Sequence, residues 1–410
     1  MTTDEKPTAG AWDWPLFGTV LLLTVLGLVM ILSASSLDAD ARYNDALHFA
    51  VRQAVGVMGG SILAAATLFA PHRYFRRAGW PVYLCALIGL FLVLSPLGNE
   101  AKGATRWFTI GPVNVQPSEF AKIGWIVMLS QYLSANEGRL RDTFGVVVPV
   151  VWLIMPLLGF MVLQKDFGTT VILLGLTGVL LFVAGLQWRW VIGLGAVAVA
   201  GLGAMVVIEP YRIQRLTSFV DPFADPGDAG YQVVQGWIAL ATGGLTGTGL
   251  ASGVAQRGFL PEAHTDFISA VIGEELGAIG WTFMMLLLMS LVWRSLVIAS
   301  RSHDLFGMLV ASGIAAMFGA QAIINVGVVG GLLPAKGLVL PFLSYGSSAA
   351  VVNCWAVGIL LRLSMERAPA AAPVKADPKS KAGRTTEPKT RVTSPGTRGT
   401  ERPSLARGGR

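Results

Sequence analysis

Between Gly243 and Gly280 the chain reads GGLTGTGLASGVAQRGFLPEAHTDFISAVIGEELGAIG, and its acids Glu262, Asp266, Glu274 and Glu275 are the groups best suited to moving a proton. Asp266 stands where a glycine-rich loop becomes a long apolar segment. A carboxylate placed there can act as a general base if burial lifts its pKa toward the working pH. The N-terminus of the coming helix pulls the other way and holds it ionised, so the plainer reading is that Asp266 only complements the helix dipole. His264 either orients a carboxylate or is an interfacial histidine with no chemical duty. Glu274 and Glu275 fall about 12–14 Å further along at the helical rise. An acid at that depth is either a functional group or a polar tie between helices.

A second set of polar residues lies in RWFTIGPVNVQPSEFAK. Arg106 sits beside Trp107, and Gln116-Pro117-Ser118-Glu119 opens a helix, with Ser118 as its expected N-cap and Glu119 in the first turn. Lys122 follows three residues later on the same face. A cap and a local ion pair account for these residues; an anionic diphosphate held by Lys122 accounts for them too, since a cation inside a membrane needs a partner or a ligand. Arg212 and Arg215 could grip a phosphate bidentately or pair with Asp221 and Asp225. Asp166, in QKDFGTT, is an N-cap or a second site acid.

These residues must be carried by membrane helices. Hydrophobic residues make up 53% of the 410, charged residues only 13%, and the mean hydropathy is +0.60. That composition cannot cover a soluble domain. Apolar runs long enough to span recur without period-2 alternation, which gives an all-α polytopic membrane protein. About ten spans are expected, at roughly 15–36, 48–70, 79–97, 118–134, 146–163, 168–186, 188–208, 268–293, 305–330 and 341–363. The first is too long to be a cleaved signal peptide and reads as a retained anchor.

Lysine and arginine set the orientation. With the N-terminus inside, Arg73, Arg76, Arg77, Arg139, Arg141, Arg189, Arg294 and Arg301 face the cytoplasm, while Arg42, Lys102, Arg106, Lys165 and Lys336 lie outside. Both termini are then cytoplasmic. Residues 1–14 form a polar N-terminal segment, 15–365 the membrane domain, and 366–410 a disordered basic tail. The large extracytoplasmic loop, 209–265, falls between spans 7 and 8 and holds a surface-lying amphipathic helix over 231–241. The net charge of +7 comes largely from the tail and argues no nucleic acid. Cys85 and Cys354 fall inside spans and supply neither a disulfide framework nor metal spacing. No phosphate-loop or dinucleotide fingerprint is present.

Several separated motifs, RWFTIGPVNVQPSE, KDFGTT, YRIQRLTSFVDPFADPGDAGYQ, GGLTGTGL, LPEAHTDF, IGEELG and GLLPAKGLVLPFLSYGSS, together resemble the SEDS family of bacterial cell-wall polymerases. These are the shape, elongation, division and sporulation proteins, among them FtsW, RodA and SpoVE. The resemblance spans about residues 15–363. It implies a peptidoglycan glycosyltransferase that joins lipid II, a disaccharide-pentapeptide on undecaprenyl pyrophosphate, into β-1,4 glycan strands. It implies Asp266 as the catalytic carboxylate. Lys122, Arg106, Arg212 and Arg215 become candidate partners of the diphosphate, with or without a divalent cation, Mg or Mn. Gln116, Glu119, Glu262, His264 and Ser344 are further substrate-binding candidates. Two departures stand out: SYGSSA replaces the usual SYGGSS, and Gly258 stands where many relatives carry another residue. Lys336 and the basic tail are closer to the division-type members than to the elongation-type ones. That implies a role at the septum, a class B penicillin-binding protein transpeptidase as partner, and other divisome membrane proteins beside it. A lipid II flippase and a non-catalytic divisome scaffold are the competing functions for such a chain.

Overall fold

The computed structural model describes residues 12–101, 104–110, 113–140, 142–208, 213, 218–223, 229–254, 258–334 and 337–366. Lys102, Arg141, Arg212, Arg215, Asp225, Lys336 and the tail beyond 366 lie outside them. The helices are α1 (Trp14–Tyr43), α2 (His48–Phe69), the short α3 (His72–Arg77), α4 (Gly79–Val93), α5 (Pro117–Ala135), α6 (Thr143–Leu163), α7 (Phe167–Val183), α8 (Trp188–Ile208), α9 (Ala229–Gly243), α10 (Ile268–Arg301), α11 (Leu305–Val329) and α12 (Ser347–Met365). Each of the ten expected spans has a helix in its place. Among the described residues, seven are long and apolar enough to cross a membrane: α1, α2, α6, α8, α10, α11 and α12. The α4 and α7 helices are apolar but shorter. The α5 helix carries Glu119 and Lys122 within its 19 residues. The chain is a multi-pass helical membrane protein.

One element departs from the all-α expectation. The segment before α5 forms an antiparallel sheet of β1 (Asn99–Ala101), β2 (Ala104–Ile110) and β3 (Val113–Val115), in the order β1-β2-β3. Phe108 pairs with Val115 and Ile110 with Val113. Strands this short leave too little alternation to read from sequence.

Close backbone approach organises the bundle. On α2, Gly56, Gly60 and Ala64 recur every fourth residue and face α12. A Cβ at Gly60 would lie 2.7 Å from Val351 O, and one at Gly358 would lie 2.5 Å from the Cα of Ala64. Small residues at this spacing let two membrane helices pack backbone to backbone. At the end opposite the sheet, Asp13 caps α1 through the Leu16 N–H (2.9 Å) and pairs with Arg294 (2.5 Å). Arg76 pairs there with Asp304. Arg362 donates to Thr67 O (2.7 Å) and lies over the Phe75 ring (4.9 Å).

The amphipathic helix expected over 231–241 is present as α9. It packs on the start of α10 and the end of α11, with Gly236 against the Phe267 ring, Leu240 against Gly273 and Trp237 against Gly331. Val233 is buried there, while Ile238 on the same helix is 52% exposed.

The α10 helix is broken at Gly277, whose φ of 68° and ψ of −170° are open essentially to glycine alone. Loop residues 244–249 fill the break. Thr248 and Gly249 N–H groups donate to the carbonyls of Glu274 (2.9 Å) and Glu275 (3.0 Å), while Ala278 and Ile279 donate to Gly244 O (2.9 Å) and Leu245 O (3.2 Å). The side chains are satisfied as well. Glu274 accepts from Val254 N–H (2.7 Å), and Glu275 accepts from the Ser33 hydroxyl (2.8 and 2.6 Å). Both acids are buried and act as polar ties among loop, α10 and α1. Gly277→Ala is therefore expected to cost at least about 1–3 kcal/mol and to lower the thermal midpoint of the detergent-solubilised protein. An unchanged midpoint would show that the break is not fixed as described.

Candidate active site

Asp266 is half-buried and precedes the first helical residue of α10 by two positions; the cap is Phe267, with no side-chain hydrogen bond. The acid is therefore not the helix cap. A single buried amide holds its backbone: Asn325 Nδ2, on α11, donates to Asp266 O and to Leu338 O, both at 2.9 Å. Gly337 lies against the carboxylate, since a Cβ there would sit 3.3 Å from Oδ2.

The turn before Asp266 is tightly wound. Glu262 is left-handed (φ 56°), and its carbonyl accepts the Thr265 N–H (3.1 Å). The Thr265 hydroxyl reaches Glu262 Oε2 (3.1 Å). His264 O accepts the Tyr345 N–H (2.9 Å), and its ring lies 4.6 Å from Phe49 and 5.7 Å from Tyr345. Ser344 is buried, and its hydroxyl accepts the Leu340 N–H (2.8 Å), so it shapes the turn beside the acid. Gln53 on α2 closes the same turn, donating to Ser344 O (3.3 Å) and accepting the Gly346 N–H (3.0 Å). The Arg52 guanidinium lies beside the Tyr345 phenol.

The same segment reaches the sheet. Ser347 and Ser348 hydroxyls donate to Asn114 O (3.2 and 2.8 Å), and Ser348 Oγ also accepts the Gln116 N–H (2.8 Å). Gln116, not Ser118, is the cap residue of α5. Its side chain joins Trp107 Nε1 (3.1 Å) to Ser118 Oγ (3.0 Å). Inside α5, Lys122 is 0% exposed and its Nζ lies 2.8 Å from both Glu119 oxygens. Arg106 directs two donors at Gln164 O (3.2 Å) and Lys165 O (2.5 Å), which ties the sheet to the α6–α7 turn. Asp166 caps α7 through the Thr169 N–H (3.1 Å), the plainer of its two readings.

The structure thus gathers Glu262, His264, Asp266 and Ser344 in one loop cluster and joins them through α12 to Gln116. Glu119 and Lys122 form a separate pair within α5. Arg212 and Arg215 are outside the described residues. Among the described residues no group of three or more His, Cys, Asp and Glu is placed to hold a metal. Sequence reasoning passed over Asn325, Gln53 and Arg52. Their signal was available, since a polar or charged side chain inside an apolar helix has to find a partner.

Comparison with known proteins agrees with this architecture. The FtsW/RodA/SpoVE family, described as cell cycle protein, matches residues 13–368. A probable peptidoglycan glycosyltransferase FtsW from Geobacter sp. (strain M18) is 37% identical over 86% of this chain and 96% of its own length. The one from Trichlorobacter lovleyi is 40% identical over 86% and 93%. Among solved structures, a chain of a peptidoglycan synthase complex coordinating polymerization and crosslinking superposes with a TM-score of 0.73 at 31% identity, covering 86% of this chain and 98% of that one. The rod shape determining protein RodA of Thermus thermophilus gives 0.65 at 28%, covering 88% and 99%. With its motifs in family order and its membrane portion matched almost end to end, the chain belongs to the FtsW/RodA/SpoVE family.

Proposed function

We propose that this protein is a peptidoglycan glycosyltransferase that polymerises lipid II into β-1,4 glycan strands, with Asp266 as its general base. The observation that carries the assignment is the fixed position of Asp266. Its backbone is tied by Asn325 and its carboxylate lies against Gly337 at a loop–helix junction, in a chain whose curated relatives are named peptidoglycan glycosyltransferases.

In the proposed reaction the acceptor's 4-hydroxyl oxygen attacks the anomeric carbon of the donor. The bond from that carbon to the phosphate oxygen breaks, and undecaprenyl diphosphate leaves with the electron pair. Asp266 takes the hydroxyl proton, and the anomeric centre inverts in one displacement. General-base assistance of this kind contributes about 10²–10⁴-fold. Glu262, His264, Ser344 and Gln116 shape the surrounding loops. Lys122, with Glu119, and Arg106, Arg212 and Arg215 are the proposed partners of the diphosphate. A divalent cation, Mg or Mn, would need only one or two carboxylates when phosphates complete its shell. Such an ion would neutralise diphosphate charge.

The sheet end of the bundle faces outward in this reading, with both termini in the cytoplasm and residues 209–265 as the outer loop. The positive-inside pattern supports that orientation. The names of the curated relatives support action at the division septum. A class B penicillin-binding protein and other divisome membrane proteins are the proposed partners, supported by the likeness to a synthase complex that coordinates polymerization with crosslinking.

Asp266→Asn and Asp266→Ala should lower glycan-strand formation from lipid II by at least about 10²-fold in a gel assay, with and without the transpeptidase. Normal strands from both variants would remove Asp266 from this role. A flippase or a scaffold predicts no product from wild type under the same conditions. Lys122→Met alone strands a buried carboxylate and should destabilise the protein by about 3–5 kcal/mol. Adding Glu119→Gln should restore the melting temperature but not polymerisation. Recovery of both would reduce the pair to a structural role.

A further inference from the structure

A diphosphate leaving group needs a cation near the sugar carbon from which it departs. Among the cations already named, Arg106 shares its donors with backbone carbonyls and Lys122 shares its charge with Glu119. The α2 helix supplies another. Phe49, Arg52 and Gln53 occupy one face of its first turns, at i, i+3 and i+4. Phe49 packs on the His264 and Tyr345 rings (4.6 and 5.0 Å), and Gln53 holds the Ser344–Gly346 turn. Arg52 lies between them, half-buried, with its guanidinium beside the Tyr345 phenol. Tyr345 is in turn bonded to the backbone of His264, two residues from Asp266.

The charge on Arg52 is not neutralised in the way of its counterparts. Arg76, Arg294 and Arg362 each have a carboxylate within ion-pair reach. Among the described residues no carboxylate forms such a pair with Arg52. A guanidinium set against a neutral phenol, half open and next to the catalytic loop, keeps donors for a planar, bidentate grip on phosphate oxygens.

We propose that Arg52, positioned by Tyr345, is an anion-binding residue of the Asp266 site and takes a phosphate of the lipid diphosphate. This rests on the glycosyltransferase reading, yet it can be tested without turnover. The probe is undecaprenyl diphosphate, titrated into the full-length protein in phosphatidylcholine nanodiscs, with undecaprenyl monophosphate and phosphatidylglycerol as separate arms.

Arg52→Gln should weaken diphosphate binding about tenfold or more, corresponding to loss of one charge-assisted bidentate contact. Arg52→Lys should recover part of that loss, and Tyr345→Phe should lose severalfold while keeping the ring contacts. The base assignment is read from turnover in the Asp266 variants and this one from binding in the Arg52 variants, so the two failures give different results. In polymerisation, the KM for lipid II should rise more than kcat falls in Arg52→Lys. Wild-type diphosphate affinity in Arg52→Gln would overturn the proposal. So would an equal loss across all arms, which would make Arg52 a general headgroup contact. If Arg52→Gln does not fold, Arg52→Lys and Tyr345→Phe decide by the same comparison.

Discussion

Five residues, Ser344 to Ser348, hold the site together. Tyr345 grips the backbone of the acid-bearing loop, and Gln53 of α2 brackets Ser344 and Gly346. Ser347 and Ser348 reach across to Asn114, and Ser348 also accepts the Gln116 N–H at the start of α5. No other described segment joins α2, the catalytic loop, the sheet and α5 through hydrogen bonds. The tie is possible because α1 yields at Gly27, where a Cβ would fall 2.1 Å from Phe342 O. Without it, Asp266 and the polar start of α5 would be independent features of a bundle. With it, their separation is fixed, and that is what a two-substrate transfer between bulky lipids demands.

The membrane sets the second constraint. A helix broken in hydrocarbon leaves carbonyl and N–H groups with no water to satisfy them, so broken helices survive only where protein supplies partners. The α10 break obeys this rule, since the Gly-rich loop lends its N–H groups to Glu274 and Glu275 and takes donors from Ala278 and Ile279. One glycine-rich segment therefore does two things. It closes the break at Gly277, and its continuation arrives at the Asp266 turn already anchored to α10 and, through Ser33 and Ala251, to α1.

Much of this was legible in the sequence. The helices fell where apolar runs of spanning length lay, while Asp266 stood out through the resemblance carried by LPEAHTDF, since an acid at a loop–helix junction can equally complement the helix dipole. The Glu119–Lys122 pair followed from helical spacing alone. What escaped reading had short range or long range as its cause. The sheet escaped because its outer strands are three residues each. The cap of α5 was misplaced because Gln116 takes its partner from Ser348, 232 residues away. The packing of α9 on α10 escaped because amphipathicity does not say what meets the apolar face. Asn325, Gln53 and Arg52 went unread because the groups they meet lie far away in the chain.

The central claim is that the side chain at 266 meets the acceptor hydroxyl. A cryo-EM structure of the Asp266→Asn protein with lipid II bound tests it most directly. The account predicts the acceptor's 4-hydroxyl oxygen at about 3 Å from the amide at position 266, with the donor diphosphate on the α2 side of the loop. A sugar bound with that hydroxyl beyond the reach of one bridging water, or bound only at the end of the bundle opposite the sheet, would contradict it.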